Sequence, residues 1–172
     1  LSELKNLALF MYGDQVIREG FWYSHVLREV HGLPEEKLFW IPHPNGLCIL
    51  WHIGHIAHRE RTHIGLFLQG FEPDIIPEKF DVFGTEWSSV PDIRRAVGSI
   101  DEVFEWAKSV RKESRRYIAS LEISDFASVP PTSDGHLSVA HWLMITAAHT
   151  ALHIGRIQLL RAQTEGTRER AC

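Results

Sequence analysis

Apolar residues recur along most of this chain at intervals of three and four, the spacing of one face of an α-helix. In residues 2–30, Leu4, Leu7, Ala8 and Met11 begin such a stripe, and Ile17, Phe21, Ser24 and Arg28 continue it on a shifted face. Ser2 is a suitable cap. His31-Gly32-Leu33-Pro34 ends the segment, because glycine accepts a left-handed cap and proline disfavours helix before it. A connection over 31–47 follows, with a short turn predicted at Pro34–Leu38 and turn chemistry in WIPHPNG. The second helix is predicted from Cys48 to Gln69, stopped by Gly70. Leu50, Ile53, Gly54, Ala57, Ile64 and Leu68 form its widest face, and Cys48, Trp51, His55, Thr62 and Leu66 a second column. A helix apolar on more than one side is buried by several neighbours.

Residues 70–98 carry Pro73, Pro77, Gly84 and Pro91 and no long periodic stretch, apart from a short turn around Asp92–Val97. So long an irregular interval either crosses the domain or covers a pocket. Ser99 followed by Glu102 is a capping box, opening a third helix at about 100–121 with Val103, Trp106, Val110, Tyr117 and Leu121 inward. The last helix starts at a Ser138 cap and runs to about Thr164. Ser138, Trp142, Ile145, His149, Leu152, His153, Arg156 and Leu160 fall on one face of it, within roughly 40° on either side. Four long helical segments without a strand pattern predict an all-α four-helix bundle, one domain over 1–172 with a tail at about 165–172. The 70–98 interval permits a parallel crossover between helices two and three and leaves its handedness open.

Composition narrows the class. Apolar residues make up 44% and charged residues 23%, and the formal net charge is -4, which argues against a nucleic-acid footprint. Two cysteines, Cys48 and the terminal Cys172, are too few for a disulfide framework. LSELKNLALFMYGDQ lacks the basic-then-apolar order of a leader, and no eighteen-residue apolar run follows. The expectation is a cytoplasmic protein with no membrane partner.

Histidine occurs 11 times, and six of the eleven fall in two groups: His52, His55, His58 and His63, then His149 and His153. The last two are four residues apart on a predicted helix, about 6 Å along its axis and on one face, where two imidazoles can grip one cation. The spacing alone is also that of ordinary core or surface histidines. Their apolar surroundings favour the cation, because buried ring nitrogens need partners and a shared metal supplies both. A third ligand must come from another helix, and helical geometry does not choose among the second-helix histidines. His52 and His58, each displaced about 60° from His55, read as surface or interface residues. His63, His25, His31, His43, His136 and His141 read as structural or solvated. Glu60 is a candidate general base, or else half of a helix-interface ion pair. Arg156, beside His153, is a candidate for steering an acidic group. Trp22, Trp51 and Trp142 are candidate pocket walls or plain core. Cys48 has no histidine placed to make it a nucleophile.

LCILWHIGHIAHRE resembles the second-helix motif of the DinB/YfiT-like metal-dependent proteins, in which a histidine stands five residues before a glutamate, as His55 and Glu60 do. HTALHIGRIQLLR resembles the family's last-helix motif through His149, His153, Gly155, Arg156, Gln158 and Arg161, and LPEEKLFWIPHPNG resembles its link between helices one and two. Cys48 departs from the serine common at the start of that second helix, and Arg156 from a glutamine. The resemblance implies an up-down-down-up bundle, a metal held by His55, His149 and His153, and a homodimer through helix faces such as that of helix two. The WHIGH spelling is also similar to the bundle domain of ergothioneine sulfoxide synthases, whose further catalytic domain would not fit here. Mycothiol-dependent isomerases and bacillithiol transferases share the bundle.

Three imidazoles plus an open position suit zinc, nickel or iron, with zinc the default. A metal so held lowers the pKa of what it binds. The expected activity is thiol-dependent transfer or isomerisation of a small molecule, with a low-molecular-weight thiol as cosubstrate. The alternatives are a metal-dependent hydrolase and a non-catalytic, metal-stabilised binding or dimerisation protein.

Overall fold

A computed structural model describes Leu27, Val30 and residues 32–164. The first predicted helix therefore lies outside the described residues except for Leu27 and Val30, which are both buried, and so do Trp22, His25, His31 and the tail. The described residues are all-α, with no strand. We label the helices α1 (Glu35–Leu38), α2 (Ile49–Glu60), α3 (Val90–Ala96), α4 (Ile100–Ala119) and α5 (Val139–Thr164). No helix among the described residues is long and apolar enough to cross a membrane.

α2 begins where the chain predicts. Cys48 is its cap, with Sγ accepting from Trp51 N at 3.4 Å, a longer and weaker bond than a serine hydroxyl would make. Every residue from Cys48 to Ala57 is buried, as a helix apolar on several sides requires. The helix does not stay α, however. From Arg61 to Leu68 it continues as a π-helix. Gly70 then ends it at φ 69, with Gly70 N donating to Leu66 O and Phe71 N to Gly65 O, a left-handed cap that glycine adopts without strain. Periodicity anticipates the length and the stop but not the wider turn.

Two apolar clusters fix the arrangement of the long helices. Ile49, Leu50, Ile53 and Ile56 of α2 pack with Val103, Phe104, Trp106 and Val110 of α4, and with Ile154, Ile157 and Leu160 of α5. Beyond them, Ile64 and Leu68 pack with Ile118 of α4 and with Val139, Trp142 and Leu143 of α5. The start of α2 thus meets the start of α4 and the end of α5: α2 and α4 run in the same sense, and α5 runs against both. The 70–98 interval makes the parallel crossover. It contains short 3-10 turns at Pro73–Ile75 and Glu78–Phe83 and then α3, whose cap Ser89 accepts from Asp92 N. Phe80 and Phe83 are buried in the first cluster, so the interval also roofs α2.

The remaining helix ends follow the sequence with adjustments. Ser99 Oγ accepts from Glu102 N at 3.2 Å, while the Glu102 carboxylate pairs with Lys79 instead of closing the predicted box. On α4, Val103, Trp106 and Val110 are buried as expected, and so are Arg111 and Ser114. On α5, the apolar face is rotated from the predicted one: Leu152 is 54% exposed, while Leu143, Ala147, Thr150, Ile154 and Ile157 are buried. His149 and His153 therefore sit at one edge of the buried face and not at its centre, because the deepest stripe is taken by the residues facing α2 and α4. The apolar surface of α2, which the homodimer expectation leaned on, is packed within this chain.

A steric contact ties this packing to the histidines. An added Cβ on Gly54 would stand 2.5 Å from the ring of Phe83, a separation that real Cβ atoms do not tolerate. Phe83 is fully buried, so it has nowhere to go. Gly54→Ala should destabilise the protein by about 1–3 kcal/mol through overpacking, read in a urea titration. It should also weaken metal retention, since Phe83 holds His55 as described next. Unchanged stability would mean that Phe83 is free to move.

Candidate metal centre

α2 and its π-helical continuation deliver Trp51, His55, Arg59 and His63 to one open pocket of about 410 Å³, and α5 delivers Ile145, His149, His153 and Arg156. Leu47 and Glu86 complete its lining. The α2 residues are spaced by four, a column that drifts by about 40° per step in a regular α-helix. The π-helical stretch beyond Arg61 takes more residues per turn and carries His63 back toward the column. His63 is thus a wall of the pocket, its ring centroid 6.3 Å from that of His149, although periodicity assigns it a structural or solvated place. The four-residue repeat of Trp51, His55, Arg59 and His63 is the signal that would have found it.

Within the pocket, His55, His149 and His153 bring one nitrogen each to within 4.8 Å of one another, and this is the group suited to a cation among the described residues. His55 Nε2 and His149 Nε2 are 3.1 Å apart, and the His149 and His153 ring centroids 4.4 Å. The structure brings together the three histidines that the motifs single out. Their proton positions suit a cation as well. His55 Nδ1 lies 2.6 Å from Phe83 O, and a carbonyl only accepts, so Nδ1 carries the proton and Nε2 presents its lone pair to the cluster. Burial lowers the pKa of His55, lowers that of His149 to about 4 and lowers that of His153 to about 2. Neighbouring histidines and Arg156 push the His149 and His153 values further in the same direction. Neutral imidazoles at neutral pH are what a metal needs from nitrogen ligands. The donor set therefore fits a divalent ion.

The neighbours are arranged with equal economy. Trp51 stacks on His55 at 4.3 Å and an interplanar angle of 16°, fixing the ring plane. His63 Nδ1 is 3.1 Å from Thr146 Oγ1, and that hydroxyl donates to Trp142 O at 2.7 Å. The threonine oxygen therefore accepts from His63, which leaves His63 Nε2 unprotonated. Burial keeps His63 neutral, with a pKa of about 3. Arg59 donates to Gly84 O at 3.1 Å and, with Arg156, puts two positive charges on the pocket wall.

Other expected residues fall elsewhere. Glu60 is 1% exposed and is not part of the pocket lining; its carboxylate meets Arg111 of α4 at 2.7 Å. His52, read as a surface or interface residue, is buried and lies against His153 across the α2–α5 interface. His58 is half-buried, its ring close to Gly84. Trp142 is in the second apolar cluster and donates from Nε1 to Ser133 Oγ. The Cys48 thiol is buried and its pKa is raised to about 11 by that burial, which unfits it as a nucleophile.

Residues 23–157 match the DinB superfamily, a span that covers α2, α4, most of α5 and all three clustered histidines. No match is found among curated proteins. The family match and the convergence of the second-helix and last-helix histidines agree, and the chain belongs to the DinB superfamily.

Proposed function

We propose that this protein is a divalent-metal-dependent enzyme that activates a low-molecular-weight thiol for transfer to, or isomerisation of, a small molecule. One observation carries the reading: three neutral imidazole nitrogens converge on a pocket that is open to solvent, and among the described residues the convergent set contains no fourth protein ligand. Structural sites are closed by four protein ligands, whereas catalytic ones keep a position free. When bound by three neutral ligands, a divalent ion keeps its full charge and makes a thiolate or hydroxide available near neutral pH.

The chain's own residues do the rest. His55, His149 and His153 would hold zinc, our assignment on availability among zinc, nickel and iron. Arg156 and Arg59 would draw in and orient an acidic group of the thiol or its acceptor. Trp51 supplies a flat apolar wall beside His55. We assign Glu60 to the α2–α4 interface, the ion-pair side of the two roles it offered. We take the fold to be an up-down-down-up four-helix bundle.

The test is a thiol-consumption assay with the zinc-loaded protein, an activated aryl halide, and cysteine, glutathione or a cysteinyl sugar as the thiol. Metal-dependent consumption that falls at least about tenfold in Arg156→Gln is expected, the loss typical of a charge-assisted contact of about 1.5–3 kcal/mol. Metal-dependent cleavage of a small ester or amide without thiol would favour the hydrolase. Neither activity would leave the metal a structural part.

A further inference from the structure

His153 has one ring nitrogen already engaged. Its Nδ1 lies 2.8 Å from Nδ1 of His52, three residues before His55 on α2, and both rings are buried. Two facing ring nitrogens make a hydrogen bond only if one carries a proton and the other does not. If His52 donates, the His153 proton moves to Nε2 and blocks the nitrogen that remains for a cation. If His153 donates, Nε2 is free. Only the second arrangement is compatible with His153 as a ligand.

We propose that His52 is a positioning residue for the metal site: it accepts the Nδ1 proton of His153 and so aims His153 Nε2 at the ion. The inference rests on the three-histidine reading above. His55 has the same arrangement with a backbone acceptor, since Phe83 O takes its Nδ1 proton. Such outer partners fix both tautomer and ring orientation of ligating histidines, and removing one commonly costs about 10- to 100-fold in metal affinity or activity. His52 also stands edge-on to Trp51, with ring centroids 5.3 Å apart, and Trp51 stacks on His55. One side chain therefore braces ligands on two helices. His52 itself stays outside the convergent group, so it orients a ligand without being one.

The test compares zinc affinity, by competition with a chromogenic chelator, in the wild type, His52→Leu and His52→Asn. Leucine fills the buried space but accepts nothing. Asparagine places a carbonyl oxygen near the position of Nδ1 and can accept from His153. The expected result is a loss of about 10- to 100-fold for leucine and recovery to within about threefold of wild type for asparagine. Equal affinity in wild type and His52→Leu would overturn the proposal while leaving the three-histidine site intact, as would equal losses in both variants. A wild type that binds no zinc would overturn the site and this proposal together. Should the variants fold poorly, long-range ¹H–¹⁵N correlation spectra of the zinc-loaded wild type decide the matter. They should show His153 protonated at Nδ1 and His52 at Nε2; a proton on His52 Nδ1 would overturn the assignment.

Discussion

Replacing His55 with alanine should abolish stoichiometric zinc binding while leaving the helical fold in place. His55 is the one ligand that α2 contributes, and without it the ion would have to be held by two histidines one turn apart on α5. The affinity loss should exceed about 100-fold, the upper end for removing an outer partner. The side chain lines the pocket, so the truncation opens a hole that water can enter from the pocket. Elemental analysis of wild type and variant, both purified without a nickel resin and dialysed against a mild chelator, reads the effect. Circular dichroism reads the fold. A variant that keeps one ion per chain would exclude His55 as a ligand.

The second large effect lies away from the pocket. Arg111→Met should destabilise the protein by about 3–5 kcal/mol, because it leaves the carboxylate of Glu60 buried without its ion partner. Glu60 is 1% exposed and Arg111 5%, so solvent does little to screen the pair. Adding Glu60→Leu should recover most of the loss, since replacing both members of a buried pair by apolar residues is commonly neutral or better. Zinc binding should be unchanged in every one of these variants. Urea denaturation of the single and double variants measures this, and a double variant no more stable than Arg111→Met would contradict it. The pair also separates the two roles of Glu60: a general base would lose activity in the double variant, whereas an interface residue would not.

Most of the site can be read in the chain, and the rest shows where local pattern stops. His149 and His153 stand out by spacing and apolar surroundings together, because the last helix is regular. His55 is different: His52, His55 and His58 are equivalent by spacing, and what separates them is which faces α5. That is a tertiary property, and only family resemblance anticipated it. His52 reads as a surface or interface residue by the rule that a histidine displaced about 60° from a ligand turns away from the site. α2 is buried on all sides along its first half, so the rule does not apply there. His63 was missed for a third reason. Its place in the pocket depends on the π-helical segment, and an α-helical projection cannot contain that change of pitch. Likewise the partner of His55 is a backbone carbonyl, Phe83 O, which carries no residue-type signal at all. The fold was legible in its element lengths and in the Gly70 and Ser99 signals. The exact face of α5 was not, since Leu152 and Ile154 are alike in hydropathy and differ only in what they meet.

X-ray absorption at the zinc edge of the loaded protein tests the central claim most directly. Three imidazole nitrogens at about 2.0–2.1 Å with one further light-atom ligand are predicted. A sulfur ligand at about 2.3 Å, or fewer than three imidazoles around the ion, would contradict the assignment of His55, His149 and His153.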